Sequence, residues 1–327
     1  MEIRVIDGRD LTSRQVADWR ALQLSNPDLR NPYFCPEYLQ AVAHAQDGVE
    51  VAVIEADGRA AAFFPFQRAR GGLGKPAGGF ISDYQGLICA PGFACDPMRL
   101  LKACGLTAWD FDHLPASQAC FRPFHRRAAS SPLIDLSEGV EAYLSTCRAA
   151  RSEQIKLRRL ERELGPVRFV AHTADAGLFD LVLGWKAAQH AASGFSDVLS
   201  LPWLRGSLIG IRDTQTPTFA GMCSVLFAGD TPVAGHFGMR SATIWHYWFP
   251  AYDPQYARFS PGLVLLLKMI EAAGELGLDG IDLGKGASLY KDRFANTEIP
   301  LAEGSVERSS LRAAGRAARR WLGRALS

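Results

Sequence analysis

The chain is 327 residues long, 48% hydrophobic and 21% charged, with a formal net charge of +2. That length accommodates about two domains, and the composition excludes a disordered chain or a strongly basic nucleic-acid-binding arm. Seven cysteines, at positions 35, 89, 95, 104, 120, 147 and 223, are odd in number and lack Cys-x-x-Cys spacing. They are expected as free thiols, so neither a disulfide framework nor a metal site is expected. The start, Met1-Glu2-Ile3-Arg4-Val5, lacks the pattern of a signal peptide, and the apolar run 263–267 is far too short to span a bilayer. A cytoplasmic location is the expectation.

In chain order, residues 50–56 and 61–68 predict two strands joined by the turn Asp57-Gly58. Asp96-Pro97 then opens a helix that ends at Gly105-Leu106, ahead of a strand with Trp109-Asp110-Phe111. Residues 133–136 predict a strand, Ser137 caps a helix from Glu138, and a second helix covers 152–164 up to Gly165-Pro166. This second helix carries Lys156, Arg158, Arg159 and Arg162, extended upstream by Arg148 and Arg151, with Glu153, Glu161 and Glu163 nearby. It reads either as a solvated face or as a lip for an anionic substrate. A strand over 167–173, helices over 175–192 and 201–212, and strands over 222–228, 233–240 and 243–249 follow. A polar loop leads to the helix start Ser260-Pro261-Gly262, a long apolar helix, and a strand over 280–284 ending in Gly284-Lys285-Gly286, with Tyr290-Lys291 just beyond.

The order of the last third repeats that of the first: strand, turn, strand, cap, proline, helix, glycine, strand with a central aspartate. Two similar α/β (α+β) lobes are therefore expected, over 1–132 and 133–304, followed by a tail over 305–327. A helix start that follows a strand offers unpaired N–H groups and a positive dipole end, a general solution for holding phosphate. The glycine loop is neither a P-loop nor a dinucleotide fingerprint.

The set Tyr252-Asp253-Pro254, Arg258-Phe259-Ser260-Pro261-Gly262, Asp282-Leu283-Gly284, Gly286 and Tyr290-Lys291 resembles the CelD-type acyltransferases of cellulose biosynthesis. These belong to the GNAT superfamily and are related to the Fem peptidyltransferases. The resemblance covers 133–303 and, more loosely, the first lobe through 34–38, Phe64-Pro65-Phe66 and Ser82-Asp83-Tyr84. It implies two GNAT-like lobes, each a mixed, mostly antiparallel sheet with flanking helices. It also implies transfer from acyl-CoA, acetyl or longer and without a metal, to an amine or hydroxyl of a sugar, glycan or bacterial exopolysaccharide or envelope precursor. Arg258, Phe259, Ser260, Gly262, Leu263, Lys285 and Lys291 are then the expected donor-binding residues. One departure is Pro261, which removes an N–H from the phosphate cradle. Two alternatives stay open: a Fem-like transferase using aminoacyl-tRNA, whose inserted helical hairpin is not evident here, and a noncatalytic nucleotide- or acyl-binding regulator of polysaccharide synthesis. Nucleic acid is not an expected partner.

Acyl transfer needs a base for the acceptor, a polarised carbonyl and a stabilised leaving thiolate. His246 is the expected base. Asp282 either acts as a base or orients the acceptor, or it caps the glycine loop through backbone N–H groups, and Tyr290 either protonates the thiolate or seats that loop with Lys291. His236, Trp248, Tyr252, Asp253, Gly284 and Gly286 form the expected acceptor set, although Trp248 also fits a packed sheet face beside Trp245 and Phe249. A two-residue turn at Ser241-Ala242 would pair His236 with Tyr247 and put the two histidines on opposite faces; a three-residue turn over 240–242 would pair the histidines directly. The first lobe lacks the Gly-Lys-Gly and Tyr-Lys elements and is expected to shape the acceptor pocket or to be structural. In the tail, Arg308, Arg312, Arg316, Arg319, Arg320 and Arg324 flank Trp321 and Leu322 at helical spacing. That pattern suits an anionic inner-membrane surface, a signalling nucleotide, or a docked or solvated helix.

Overall fold

The computed structural model describes residues 1–194, 196–286 and 288–308. The chain divides into two compact units: one combines 1–29, 38–130 and the stretch from 300, the other 30–37 and 131–299. The change at 130/131 falls two residues from the expected boundary. The exchanges of 30–37 and of the strand ending at Glu307 have no counterpart in the expected ranges.

In the first unit the sheet runs Glu2–Asp7, Val49–Ala56, Arg59–Ala69, Leu73–Lys75, Ala108–Pro115 and Thr297–Glu307. All neighbours are antiparallel except Leu73–Lys75 with Ala108–Pro115. Asp57 and Gly58 carry φ of 52° and 74°, and Ala56 pairs with Arg59. Two consecutive left-handed residues are what a tight two-residue hairpin requires. Asp96 accepts hydrogen bonds from the N–H groups of Met98 and Arg99, and Pro97 occupies the first position of the helix Pro97–Ala103, as its cap-proline order predicts. Ser305, Val306 and Glu307, expected as the start of a tail, pair with Asp110, Trp109 and Ala108. The arginines from 312 onward, Trp321 and Leu322 lie outside the described residues.

In the second unit the sheet order is His125–Asp135, which enters it through 131–135, then Gly280–Asp282, Ile244–Tyr252, Thr231–Ser241, Phe219–Ala228 and Val167–Val170. The pairing is antiparallel save for Ile244–Tyr252 with Gly280–Asp282, which is parallel. Alternation along Phe219–Ala228 assigns the two faces. Ala220, Met222, Leu226 and Ala228 share one core with Val264, Leu265, Leu267 and Ile270 of the helix Pro261–Glu275. On the other face, Gly221 lies under Ile211 of the helix Pro202–Asp213, and Gly235 under Val182 of the helix Ala176–Ala192. The helix expected from Glu138 begins at Val140, because Gly139 sits at φ 93° and the Ser137 N–H is taken by Asp135. The basic helix starts at Arg148, four residues earlier than predicted, after an extended Cys147.

Close approach of helix and strand fixes some glycines and frees others. A Cβ on Gly221 would lie 2.2 Å from the Ile211 carbonyl oxygen, whereas one on exposed, helical Gly184 would meet nothing within 4 Å. Gly221→Ala is expected to lower stability by about 1–3 kcal/mol through overpacking, and Gly184→Ala to raise it by up to ~1 kcal/mol through helix propensity. Urea midpoints check both; equal midpoints for the two variants would refute this account of the packing.

Candidate active site

Parallel pairing between Ile244–Tyr252 and Gly280–Asp282 covers three residue pairs and stops at His246 opposite Asp282. Strand Ile244–Tyr252 continues for six residues beyond that point. Its neighbour turns away at once. The Asp282 carboxylate accepts the Gly284 N–H at 2.8 Å, Gly284 adopts φ 75°, and Lys291 Nζ donates to the Gly284 and Lys285 carbonyls at 2.8 and 3.1 Å. The strands therefore splay, and a cavity of about 390 Å³ opens beside the unpaired stretch, walled by Tyr247, Pro250, Tyr252, Ser260, Gly262, Leu263, Tyr290, Lys186 and Gln189 among others.

The long helix opens onto this cavity. Asp253 caps a short 3₁₀ turn, Pro254–Phe259, by accepting the Gln255 N–H. Ser260 then takes a left-handed conformation, φ 51° and ψ 49°, and Pro261 fixes the first helical position. The Ser260 hydroxyl makes no cap bond. It lies instead 3.1 Å from Lys156 Nζ, and Lys156 also pairs at 3.0 Å with Glu153, a fully buried carboxylate. A residue of the basic helix thus reaches the expected phosphate cradle, and sequence spacing gave no sign of which one. Arg258 pairs with Glu163 at 3.1 Å, and Phe259 is packed into the core rather than onto the cavity wall.

His246 and Asp282 come together, with Nδ1 3.9 Å from Oδ1 and both side chains wholly buried. Asp282 also accepts the Ser131 hydroxyl and the Asn31 amide, each at 2.6 Å. The Tyr33 ring stands edge-on to His246, centroids 5.0 Å apart. Being adjacent on one strand, His246 and the cavity residue Tyr247 face opposite sides of the sheet. Asn31, Tyr33 and Ser131 were not read as site residues; the only hint was the Asn-Pro turn signal at Asn31-Pro32.

Neither expected hairpin register occurs. Ser241 Oγ accepts the N–H groups of Thr243 and Ile244, lengthening the loop, and the register shifts between Phe237 and Met239. His236 therefore faces Pro250, and His246 faces Met239. The His236 ring is buried rather than exposed to a ligand: it stacks on Tyr247 at 5.0 Å and accepts the Trp248 N–H at 3.1 Å. Trp248 lies among Phe249, Phe237 and Tyr33, as the packed-face reading requires. Lys291 seats the glycine loop, one of its two expected roles, and Asp282 caps Gly284 as one of its own. Burial pushes the Tyr290 phenol up to about 12, so it is a neutral proton donor near pH 7.

Residues 149–292 match the family model described as "Acetyltransferase (GNAT) domain". The protein is accordingly an acyltransferase, and such a domain implies an acyl-CoA co-substrate. FemX is similar in structure over 97% of this chain and 99% of its own, with a TM-score of 0.64 at 10% identity. L-PGS from Bacillus licheniformis matches over 94% and 96% (TM-score 0.57, 12% identity). A tandem GNAT protein from the clavulanic acid biosynthesis pathway matches over 94% and 100% (TM-score 0.51, 11% identity). These likenesses are of fold, and they bear out the expected pair of GNAT-like lobes. No curated protein matches the chain. Among the described residues no helix is long and apolar enough to cross a membrane.

Burial, with His246 nearby, pushes His236 down to about 3. In the unfolded chain it titrates near ~6.5, so between these values the unfolded state binds more protons. The stability His236 contributes is complete above pH ~6.5 and is lost as pH falls toward 3, by up to ~1.4 kcal/mol per pH unit. Urea unfolding at pH 7 and pH 5 should show a larger loss for the parent than for His236→Gln; equal losses would remove His236 as the source.

Proposed function

We propose that the protein transfers an acyl group from acyl-CoA to an amine or hydroxyl of a sugar or of an exopolysaccharide or envelope precursor, in the manner of the CelD-type enzymes. The observation that carries this reading is the strand splay beside an open helix start. Pro261 lacks an N–H, and the Lys156 ammonium beside Ser260 supplies a positive charge there. The first turn of Pro261–Glu275 with Lys156 holds the donor's pyrophosphate, and the donor's arm lies along Tyr247, Pro250 and Tyr252. His246, at the last strand pair before the splay, takes the acceptor's proton. Asp282 positions His246 and is too fully engaged by Asn31, Ser131 and Gly284 to be the base itself. As the acyl carbon passes from sulfur to the acceptor's nitrogen or oxygen, Tyr290 returns a proton to the thiolate. The acceptor class rests on the motif resemblance and on the Fem-like architecture.

An acyl-CoA panel with amino-sugar and nucleotide-sugar acceptors tests the reading. CoA and its thioesters are expected to raise the melting temperature, and a suitable acceptor to release free thiol. A Cβ on Gly262 would already stand 3.3 Å from the Tyr252 ring, so Gly262→Val should weaken CoA binding at least tenfold, while helix propensity, in which Val exceeds Gly by roughly a few tenths of a kcal/mol, keeps the helix formed. Absence of CoA binding by the parent would sink the donor assignment, and CoA binding without thiol release for any acceptor would favour the regulatory binding module.

A further inference from the structure

The wall of the splayed cavity is rich in hydrogen-bond donors and poor in negative charge. Lys186 and Gln189, three residues apart on the helix Ala176–Ala192, both line it, and no acidic side chain is among the described residues of the wall. Among the described residues, Lys186 Nζ makes one hydrogen bond, to the Pro250 carbonyl at 3.3 Å. An ammonium has three N–H groups, so two remain for a ligand. The Gln189 Nε2 atom is buried and has no hydrogen-bond partner among the described residues. Burial, then the charge of Lys291, pushes Lys186 down. Leaving such groups uncompensated is costly, and a polar or anionic ligand in the cavity supplies the compensation.

Different contacts distinguish this group from the phosphate cradle. Lys156 serves the helix start at Ser260. Lys186 bonds the strand that continues past the splay and feels Lys291, which holds the loop that turns away from it. It therefore stands between the parted strands, within charge range of Lys291 on the loop that turns away and of His236 behind Tyr247, on the wall that the arm and the acyl end beyond it pass. Resting on that reading, we propose that Lys186 and Gln189 select an acyl chain ending in a carboxylate, so that the donor is a dicarboxylic acyl-CoA. The ammonium meets the carboxylate as a charge-assisted pair and the Gln189 amide donates to its second oxygen.

Succinyl-CoA and butyryl-CoA, close in size but differing in that carboxylate, make the comparison, with free CoA as the reference, all titrated calorimetrically against the full chain. The parent should bind succinyl-CoA at least tenfold more tightly than butyryl-CoA. Lys186→Met should reduce that ratio to about two or less while leaving CoA and butyryl-CoA within about threefold of the parent; Lys186→Arg should keep much of the preference. A parent ratio near one overturns the proposal. So does an equal weakening of all three ligands by Lys186→Met, which would assign Lys186 to the pyrophosphate. If free CoA fails to bind the parent, the donor reading itself fails, an outcome distinct from binding without preference. Unaltered thermal unfolding of Lys186→Met and Lys186→Arg confirms that each comparison is between folded proteins.

Discussion

The Asp282 carboxylate is the constraint on which the second unit's site depends. A wholly buried carboxylate is expensive unless its lone pairs are taken up, and here Ser131, Asn31 and the Gly284 N–H take them up. Those three donors come from segments far apart in sequence, so one buried charge ties together the 30–37 segment, the strand that enters at 131 and the end of Gly280–Asp282. The Gly284 bond is also the step that bends the chain off the sheet. Lys291 then holds the carbonyls exposed by that bend, and the splay is maintained without side chains filling it.

That arrangement divides the chemistry between two faces of one strand. His246 stands against Asp282 and Tyr33, while Tyr247 looks into the cavity with His236 stacked behind it. His236 accepts the Trp248 N–H, which fixes its other ring nitrogen as the protonated one and its ring as neutral. A cation in that position would add to the charge of Lys186 and oppose it. Neutral His236 leaves Lys186 as the positive group of the cavity wall.

Much of the architecture was legible because it follows local rules. The turn Asp57-Gly58 between two strands and the cap-proline order at Asp96-Pro97 each report a rule that the fold obeys. The site was only half legible. His246, Asp282, Tyr290 and the Ser260 helix start stood out by residue type and by motif, and the structure brings His246 to Asp282. Asn31 and Ser131 did not stand out, because a polar residue in a turn or a strand has no period, and Asn31 meets its partner 251 residues away. Lys186 and Gln189 read as an ordinary helix face. The hairpin register escaped for a different reason: a single hydroxyl, that of Ser241, captures two loop amides, and turn propensities do not register a bond of that kind.

The first unit repeats the element order with different side chains at the matching parallel pair, and the difference is one of volume. Its parallel pairing joins Leu73 to Ala108 and Gly74 to Trp109, after which the strand Leu73–Lys75 ends. The strand Ala108–Pro115 runs on for six residues past Trp109, and Gln85 covers that edge: its side-chain oxygen accepts the Asp112 and His113 N–H groups, and its own N–H donates to the His113 carbonyl. Leu106 and Trp109 crowd Gly74 closely enough that a Cβ there would lie 2.8 Å from Leu106 Cδ1, and Trp109 packs on Phe64, Phe111 and Phe121. Aromatic bulk of this kind closes a core at interior density. In the second unit the corresponding pair ends in Asp282, a residue that must be hydrogen-bonded rather than packed. Satisfying it turns the chain away and leaves Tyr247 and Tyr290 on the wall of an open space. A buried carboxylate in one lobe and a buried tryptophan in the other thus stand at the last pair of the two parallel pairings.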